Sequence, residues 1–391
     1  MILGQLIAHY ADFKAGALKD RFFKPADVLR LMEELPPAFE TLLLGNSVEG
    51  RGIYNIRWGT GKVKVLLWSQ MHGDEATGTM ALFDLLNFLQ SEHELVGLLH
   101  STCELHFIPM VNPDGAVRFS RRNALQIDLN RDYLQAITPE AKLLKQRQQD
   151  LKPDFGFNLH DQNTLWSVSG SLKPATLSLL APAFNRELDI NPTRENAMRV
   201  IADMFKAVDP FLPGHIGLFD DEFEPRAFGD NFQQQGTCTI LIEAGGFGQD
   251  FEKQEIRKYY FAALLAGLHS IASGMYRQQH TSQYFLIPKN NKQIFHILIH
   301  DLCFNGISLS VGLNYEEVPD EHRNNPSGYP MSSRRIYRVE DIGDLRFCDA
   351  YQVFSAANWR LAGDICVNQN ANFTLFEKNE VRLCFEDGKL A

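Results

Sequence analysis

Val63-Lys64-Val65-Leu66-Leu67-Trp68-Ser69 is followed almost at once by Met71-His72-Gly73-Asp74-Glu75, and then by a stretch in which Met80, Leu82, Phe83, Leu85, Leu86 and Leu89 recur at intervals of three and four. The first run is mostly apolar and rich in β-forming residues, which reads as a buried strand. Its polar sequel reads as a turn, and the periodic stretch predicts an amphipathic helix. Strand, polar turn and helix in that order open an alternating α/β pattern.

The pattern continues outward. Glu104 to Met110 reads as a strand ending at Asn112-Pro113-Asp114-Gly115, Phe155 to Leu159 as one ending at His160, and Thr237 to Ile242 as one ending at Glu243. Helical periodicity fills Glu140 to Gln149 and Glu195 to Val208. Strands alternating with helices predict an α/β sheet covered on both faces, with ligands bound beyond the carboxyl ends of its strands. Residues 1 to about 45 read as short helices. Beyond about residue 280, Gln293 to Ile299, Gly306 to Leu313, Arg335 to Arg338 and Ala371 to Phe385 read as short strands, with a polar loop over Asn314 to Ser333. The expected division is a domain over 1–279 and a smaller β-rich domain over 280–391.

With 391 residues, the chain is long enough for such a pair. Hydrophobic residues at 45% and charged residues at 22% match soluble globular proteins and exclude disordered and fibrous classes. The formal net charge is −10, and no block of Lys or Arg offers a face for a phosphate backbone or an anionic membrane. Nucleic-acid and membrane partners are therefore not expected, and the sequence does not set an oligomeric state. Six cysteines lie scattered without CxxC spacing, which predicts reduced thiols. The N-terminus reaches His9 and Asp12 before an apolar export signal forms, so a cytoplasmic location is expected.

His72 and Glu75 form a His-x-x-Glu pair in the turn after a strand. Alone it is weak: roughly one such pair arises by chance among 12 histidines. Yet an imidazole and a carboxylate three residues apart in a turn can converge on one point, and zinc takes nitrogen and oxygen donors with one position open in catalytic sites. His160, at a strand end, is the best third donor, although a histidine there is more often simply hydrogen-bonded. What alters the balance is the stretch between: Asn112-Pro113-Asp114-Gly115, then Arg121-Arg122-Asn123 and Asp128-Leu129-Asn130-Arg131-Asp132.

From about Gly45 to Glu243 these motifs, in this order, resemble the zinc carboxypeptidases of the carboxypeptidase A type and their bacterial relatives. The resemblance implies a mixed, mostly parallel sheet with helices on both faces, and one zinc ion per chain held by His72, Glu75 and His160. It further implies that Asp128 orients a ligand histidine, that Asn130 and Arg131 grip the free carboxylate of a peptide, that Arg121 steadies the oxyanion and that Glu243 is the general base. Arg122 competes with Arg121 for that alignment. A planar guanidinium suits a carboxylate, and a carboxylate near the metal suits proton transfer from water.

The expected activity is zinc-dependent cleavage of an amide bond beside a free carboxylate, with a peptide or an N-acyl amino acid as substrate. A deacylase of the aspartoacylase and succinylglutamate desuccinylase type is the alternative, and a peptide-terminus-binding module without turnover is a third reading. The sequence departs from the family in having no tyrosine between Tyr133 and Tyr259, where digestive members carry a mobile one. Phe219, Phe223 and Phe228 line that interval, Asp161 stands where a serine is common, and Arg226 is a candidate for selecting acidic side chains or else a surface ion-pair partner. Trp166 to Gly170 is expected as a loop near the site. His296 and His300 share a strand-like run without a third donor.

Overall fold

The computed structural model describes residues 2–320 and 322–391. The chain forms two units: one takes it up to Thr164 and again over Ala175–Asn290, the other combines Leu165–Pro174 with Asn291–Ala391.

In the first unit the strands are β1 (Glu40–Asn46), β2 (Gly52–Trp58), β3 (Val63–Ser69), β4 (Cys103–Ile108) and β5 (Phe155–Asp161). After the short β6 (Ser167–Val168), which lies in the other unit, come β7 (Leu177–Leu180), β8 (Ile216–Leu218) and β9 (Cys238–Ala244). Without β6 they build an eight-stranded sheet ordered β1-β2-β4-β3-β5-β9-β7-β8. β4, β3, β5 and β9 run parallel, so their carboxyl ends share one edge. β1, β2 and β7 pair antiparallel, which makes the sheet mixed.

The helices are α1 (Ile2–Ala8), α2 (Pro25–Glu33), α3 (Thr77–Phe88), α4 (Glu94–Thr102), α5 (Pro113–Arg118), α6 (Pro139–Leu151), α7 (Pro192–Val208), α8 (Phe228–Gln234) and α9 (Gln254–Ser273). Strand side chains alternate between two cores. Val65, Leu67, Phe157 and Ile240 pack with residues of α3, α4, α7 and α9. Leu66 and Trp68 face Leu144 of α6 and Phe228 and Phe232 of α8. Each such side chain contributes about 1.5–3 kcal/mol when fully buried. Local sequence sets the helix starts: Thr138 and Asn191 cap α6 and α7 just before Pro139 and Pro192.

The reading of residues 1 to about 45 as short helices fails at Glu40–Asn46, an edge strand pairing only with β2 and leaving Leu42 54% exposed, so it lacks a buried alternation. α3 is not amphipathic: every residue except Asn87 is buried. Its one acid, Asp84, accepts hydrogen bonds from Tyr10 Oη at 2.6 Å, Ala15 N at 2.7 Å and Arg257 Nε at 2.7 Å.

After β10 (Asn290–Asn291), the second unit contributes β11 (Ile294–Phe304), β12 (Ile307–Pro319), β13 (Ser333–Gly343) and β14 (Asp349–Ser355), ordered β13-β12-β11-β14. A second sheet follows in chain order from β15 (Arg360–Asp364) through β16 (Asn372–Glu377) and β17 (Glu380–Glu386) to β18 (Lys389–Leu390). Ile297, Val311 and Val339 of one sheet share a core with Phe373, Leu375 and Phe385 of the other. The polar loop expected from Asn314 is shorter than read, because β12 continues to Pro319, paired with Ser333. No helix among the described residues is long and apolar enough to cross a membrane.

Candidate metal centre

β3 ends at Ser69, and Gln70 turns the chain with φ 49°. Gln70 Nε2 donates to Gly73 O at 2.9 Å and Glu75 N to His72 O at 3.2 Å, closing a turn that brings both side chains to one side. A Cβ on Gly73 would lie 2.0 Å from the carbonyl carbon of Gly115, so this turn and the start of α5 touch backbone to backbone. His160 leaves the end of β5. In register beside it on β9 stands Glu243.

Among the described residues, His72, Glu75 and His160 form the one group of three such side chains whose donor atoms all lie within 4.8 Å of one another, and all three are buried. Glu75 Oε1 is 2.7 Å from His72 Nδ1, and Glu75 Oε2 is 2.7 Å from His160 Nδ1. The other nitrogen of His72, Nε2, meets Asp128 Oδ1 at 3.0 Å. Burial by itself would raise the Glu75 pKa, but the two imidazoles outweigh it and hold the carboxyl well below its usual range. Burial likewise works to lower the His72 pKa, yet Glu75 and Asp128 lift it to about 9. In His160 burial prevails, and the pKa is lowered.

Arg121 closes the group from the side. Its Nε donates to Asp128 Oδ2 at 3.1 Å, and Nη1 lies 3.2 Å from Glu75 Oε1. Arg122 is exposed and donates to Gln126 O, so of the doublet only Arg121 reaches the centre. Asn130 and Arg131 follow on the same turn, where Asn130 N donates to Asp128 Oδ1 at 2.9 Å. Asn130 Oδ1 accepts from Phe228 N at 2.9 Å, and Arg131 pairs with Glu224. Arg226 also pairs with Glu224, the surface ion pair that was the plainer of its two readings. Phe228 is fully buried against Tyr133 and Phe232.

Glu243 is buried, and its Oε2 has no hydrogen-bond partner among the described residues. Burial, then the charges of Glu75 and Asp161, push its pKa well above the ordinary carboxylate range, opposed by Lys253 and Arg121. Lys253 escaped the sequence reading. Its Nζ lies 3.0 Å from Asp161 Oδ2 and 2.9 Å from Ala244 O, and its backbone has φ 52°. No local pattern announces it, because it joins residues far apart in sequence. Asp161 itself has one oxygen tied to Thr77 and Lys253 while its amide donates to Glu75 Oε2 at 3.1 Å. The Trp166 loop falls in the second unit. There His296 stacks on Tyr315, with ring centroids 3.6 Å apart, and among the described residues neither it nor His300 falls in a group of three potential metal donors.

The donor set fits zinc. Each imidazole Nδ1 faces an oxygen of Glu75, His72 Nδ1 also lies 3.1 Å from Arg121 Nη1, and His72 Nε2 faces Asp128, so ring protons or a shared cation must bridge the buried nitrogen–carboxylate contacts. A divalent cation at the point of convergence replaces those buried protons, while Asp128 fixes the Nε2–H tautomer of His72. Two imidazole nitrogens and a carboxylate are a recurring zinc set in catalytic centres.

The family model for zinc carboxypeptidase matches residues 26–164, a range that includes His72, Glu75, Arg121, Asp128, Asn130, Arg131 and His160. Carboxypeptidase 2 of Trichophyton rubrum is 27% identical over 100 residues, covering 26% of this chain and 19% of the relative. Carboxypeptidase SOL1 of Arabidopsis thaliana is 34% identical over 85 residues, covering 21% of this chain and 17% of the relative. These matches thus span about a fifth of each curated relative. Among solved structures, a metallo-carboxypeptidase from Pseudomonas aeruginosa in complex with (2-guanidinoethylmercapto)succinic acid is 18% identical, with a TM-score of 0.52 over 65% of this chain and 70% of that one. Bovine thrombin-activatable fibrinolysis inhibitor is 14% identical, with a TM-score of 0.54 over 66% of this chain and 98% of that one. At these identities the structures show a shared fold. Residues 26–164 are thus similar to the zinc carboxypeptidase family, and the chain shares a carboxypeptidase-like α/β fold.

Proposed function

We propose that this chain is a zinc-dependent hydrolase that cleaves an amide bond beside a free carboxylate, with the C-terminal bond of a peptide as its first substrate class. One zinc per chain is held by His72, Glu75 and His160. The observation that carries this reading is the convergence of those three buried donors, with Glu243 one strand away on the same sheet edge.

Zinc, when bound, supplies a Lewis acid that polarises the scissile carbonyl and acidifies water. The remaining chemistry belongs to the chain. Glu243 accepts the proton of the attacking water on its uncommitted oxygen and returns it to the departing amine. Arg121, anchored to Asp128, directs a fixed positive charge at the oxyanion, a contribution on the order of 3–4 kcal/mol in comparable settings. Asn130 and Arg131 hold the substrate's carboxylate, so that the bond next to it is the one presented. The six cysteines, all unpaired, support a reducing, cytoplasmic compartment as its place of action.

The test is an assay of the zinc-loaded protein on N-acyl dipeptides with free and amidated carboxyl ends, and on N-acyl amino acids. Turnover of the free dipeptides alone is expected, and Glu243→Gln should reduce kcat about 100- to 10,000-fold while retaining its zinc. Exclusive turnover of N-acyl amino acids would identify a deacylase instead. Carboxylate binding without any turnover would identify a binding module, and equal activity in the Gln variant would remove Glu243 as base.

A further inference from the structure

The turn over residues 128–131 carries the two side chains assigned above to a substrate's carboxylate, and one other segment, residues 224–228, already engages both. Glu224 Oε2 lies 3.1 Å from Arg131 Nε. Phe228 N donates to Asn130 Oδ1 at 2.9 Å. Arg226 holds the same glutamate from its other side in a two-point fork, Nε to Oε1 at 2.9 Å and Nη2 to Oε2 at 2.7 Å. The segment is fastened to its surroundings at both flanks of Glu224: its own amide donates to Asp230 Oδ1 at 3.0 Å, and Arg226 O accepts from Tyr133 N at 3.2 Å.

We infer that Glu224 is an internal carboxylate that competes with the terminal carboxylate of substrate or product for Arg131. The inference rests on the role proposed for Arg131.

Three features make the exchange workable. The incoming group has the same charge and shape as the one it displaces, so Arg131 is never left without an anion. Arg226 keeps Glu224 paired after the exchange, because its fork uses both carboxylate oxygens, whereas the contact of Arg131 is from Nε to Oε2 at 3.1 Å. Finally, the side chains of Arg131, Glu224 and Arg226 are 38%, 26% and 54% exposed, so the pair to be broken is open to water. Ion pairs in such settings hold by a factor of about five or less. Glu224 therefore acts as a weak gate: it raises the concentration at which any free carboxylate saturates the site, and it leaves ligands without that carboxylate unaffected. It touches no reacting atom and is a specificity-determining residue.

The probes are N-benzoylglycine and N-benzoylglycinamide, which have no side chain for a pocket to reject. Each is titrated calorimetrically into the zinc-loaded full chain as wild type, Glu224→Gln, Glu224→Ala and Arg131→Gln. Both Glu224 variants are expected to bind the carboxylate about two- to five-fold tighter and the amide no differently, and Arg131→Gln to lose the preference for the carboxylate. In steady-state assays KM for free-carboxylate substrates falls by the same factor, with kcat moving less. Equal or weaker carboxylate binding by both Glu224 variants, given unchanged thermal unfolding, overturns the inference. So does tighter binding of the amide, undiminished preference in Arg131→Gln, or no binding by any form. Carboxylate binding that follows the expected pattern without any turnover would instead refute the hydrolase reading and leave the gate standing.

Discussion

Asp128 shows how much one side chain can organise. Its Oδ1 accepts from His72 Nε2 and Asn130 N, and its Oδ2 accepts from Arg121. One carboxylate thus orients the His72 imidazole, the Arg121 guanidinium and the start of the turn that carries Asn130 and Arg131. Asp128→Asn keeps the shape but removes the charge and, with an amide nitrogen in place of one oxygen, disrupts the contacts that oxygen accepts. Zinc affinity is expected to fall about 10- to 100-fold, measured by competition with a chelating dye; affinity equal to wild type would contradict the arrangement. The grouping of His72, Glu75, Asp128 and His160 was legible through the family resemblance, because the pair His72 and Glu75 or His160 by itself is a weak signal. The choice between Arg121 and Arg122 was not, because both satisfy the spacing and only the fold decides which one turns inward. Lys253 was invisible for the same reason: its partner Asp161 is 92 residues away.

At the level of elements, the turn from β3 to α3 depends on Gly73. Backbone atoms of Gly115 and Ala116 sit where its side chain would be, at 2.0 and 2.2 Å. Backbone cannot yield as a flexible side chain does, so Gly73→Ala must push α5 away from the turn that carries His72 and Glu75. A loss of about 1–3 kcal/mol of stability, together with reduced zinc content, is expected by thermal unfolding and metal analysis. Gly97 in α4 is the control, because a Cβ added there would meet nothing within 4 Å; alanine at that position should stabilise by about 0.5–1 kcal/mol. Wild-type stability and metal content in Gly73→Ala would show that the contact is not restrictive. The periodicity of α3 correctly announced a helix but misjudged its setting, since a helix between a sheet and α9 has no solvent face to betray its burial. β1 failed in the opposite direction, because an exposed edge strand has no buried side to leave an alternation.

Across the whole chain, long-range polar contacts bind what the sequence presents as separate pieces. Arg257 of α9 reaches Asp84 of α3 and also donates to Leu18 O at 2.6 Å and Ala15 O at 3.1 Å, tying the N-terminal segment to two buried helices. Such a pair is fully satisfied, and a buried charge requires that. The order of strands and helices made the α/β class readable, because parallel neighbours need helical crossovers between them. That residues 165–174 group with the second unit could not be read, since no composition shift marks a ten-residue excursion.

The proposed hydrolase depends on one ion shared by His72, Glu75 and His160. Zinc-edge X-ray absorption on the zinc-loaded protein tests this most directly. It should show two nitrogen scatterers at about 2.0–2.1 Å with the remaining shell oxygen, and the nitrogen signal should shrink in His160→Ala. A shell containing sulfur at about 2.3 Å, or a spectrum unchanged by that substitution, would place the metal elsewhere and contradict the assignment.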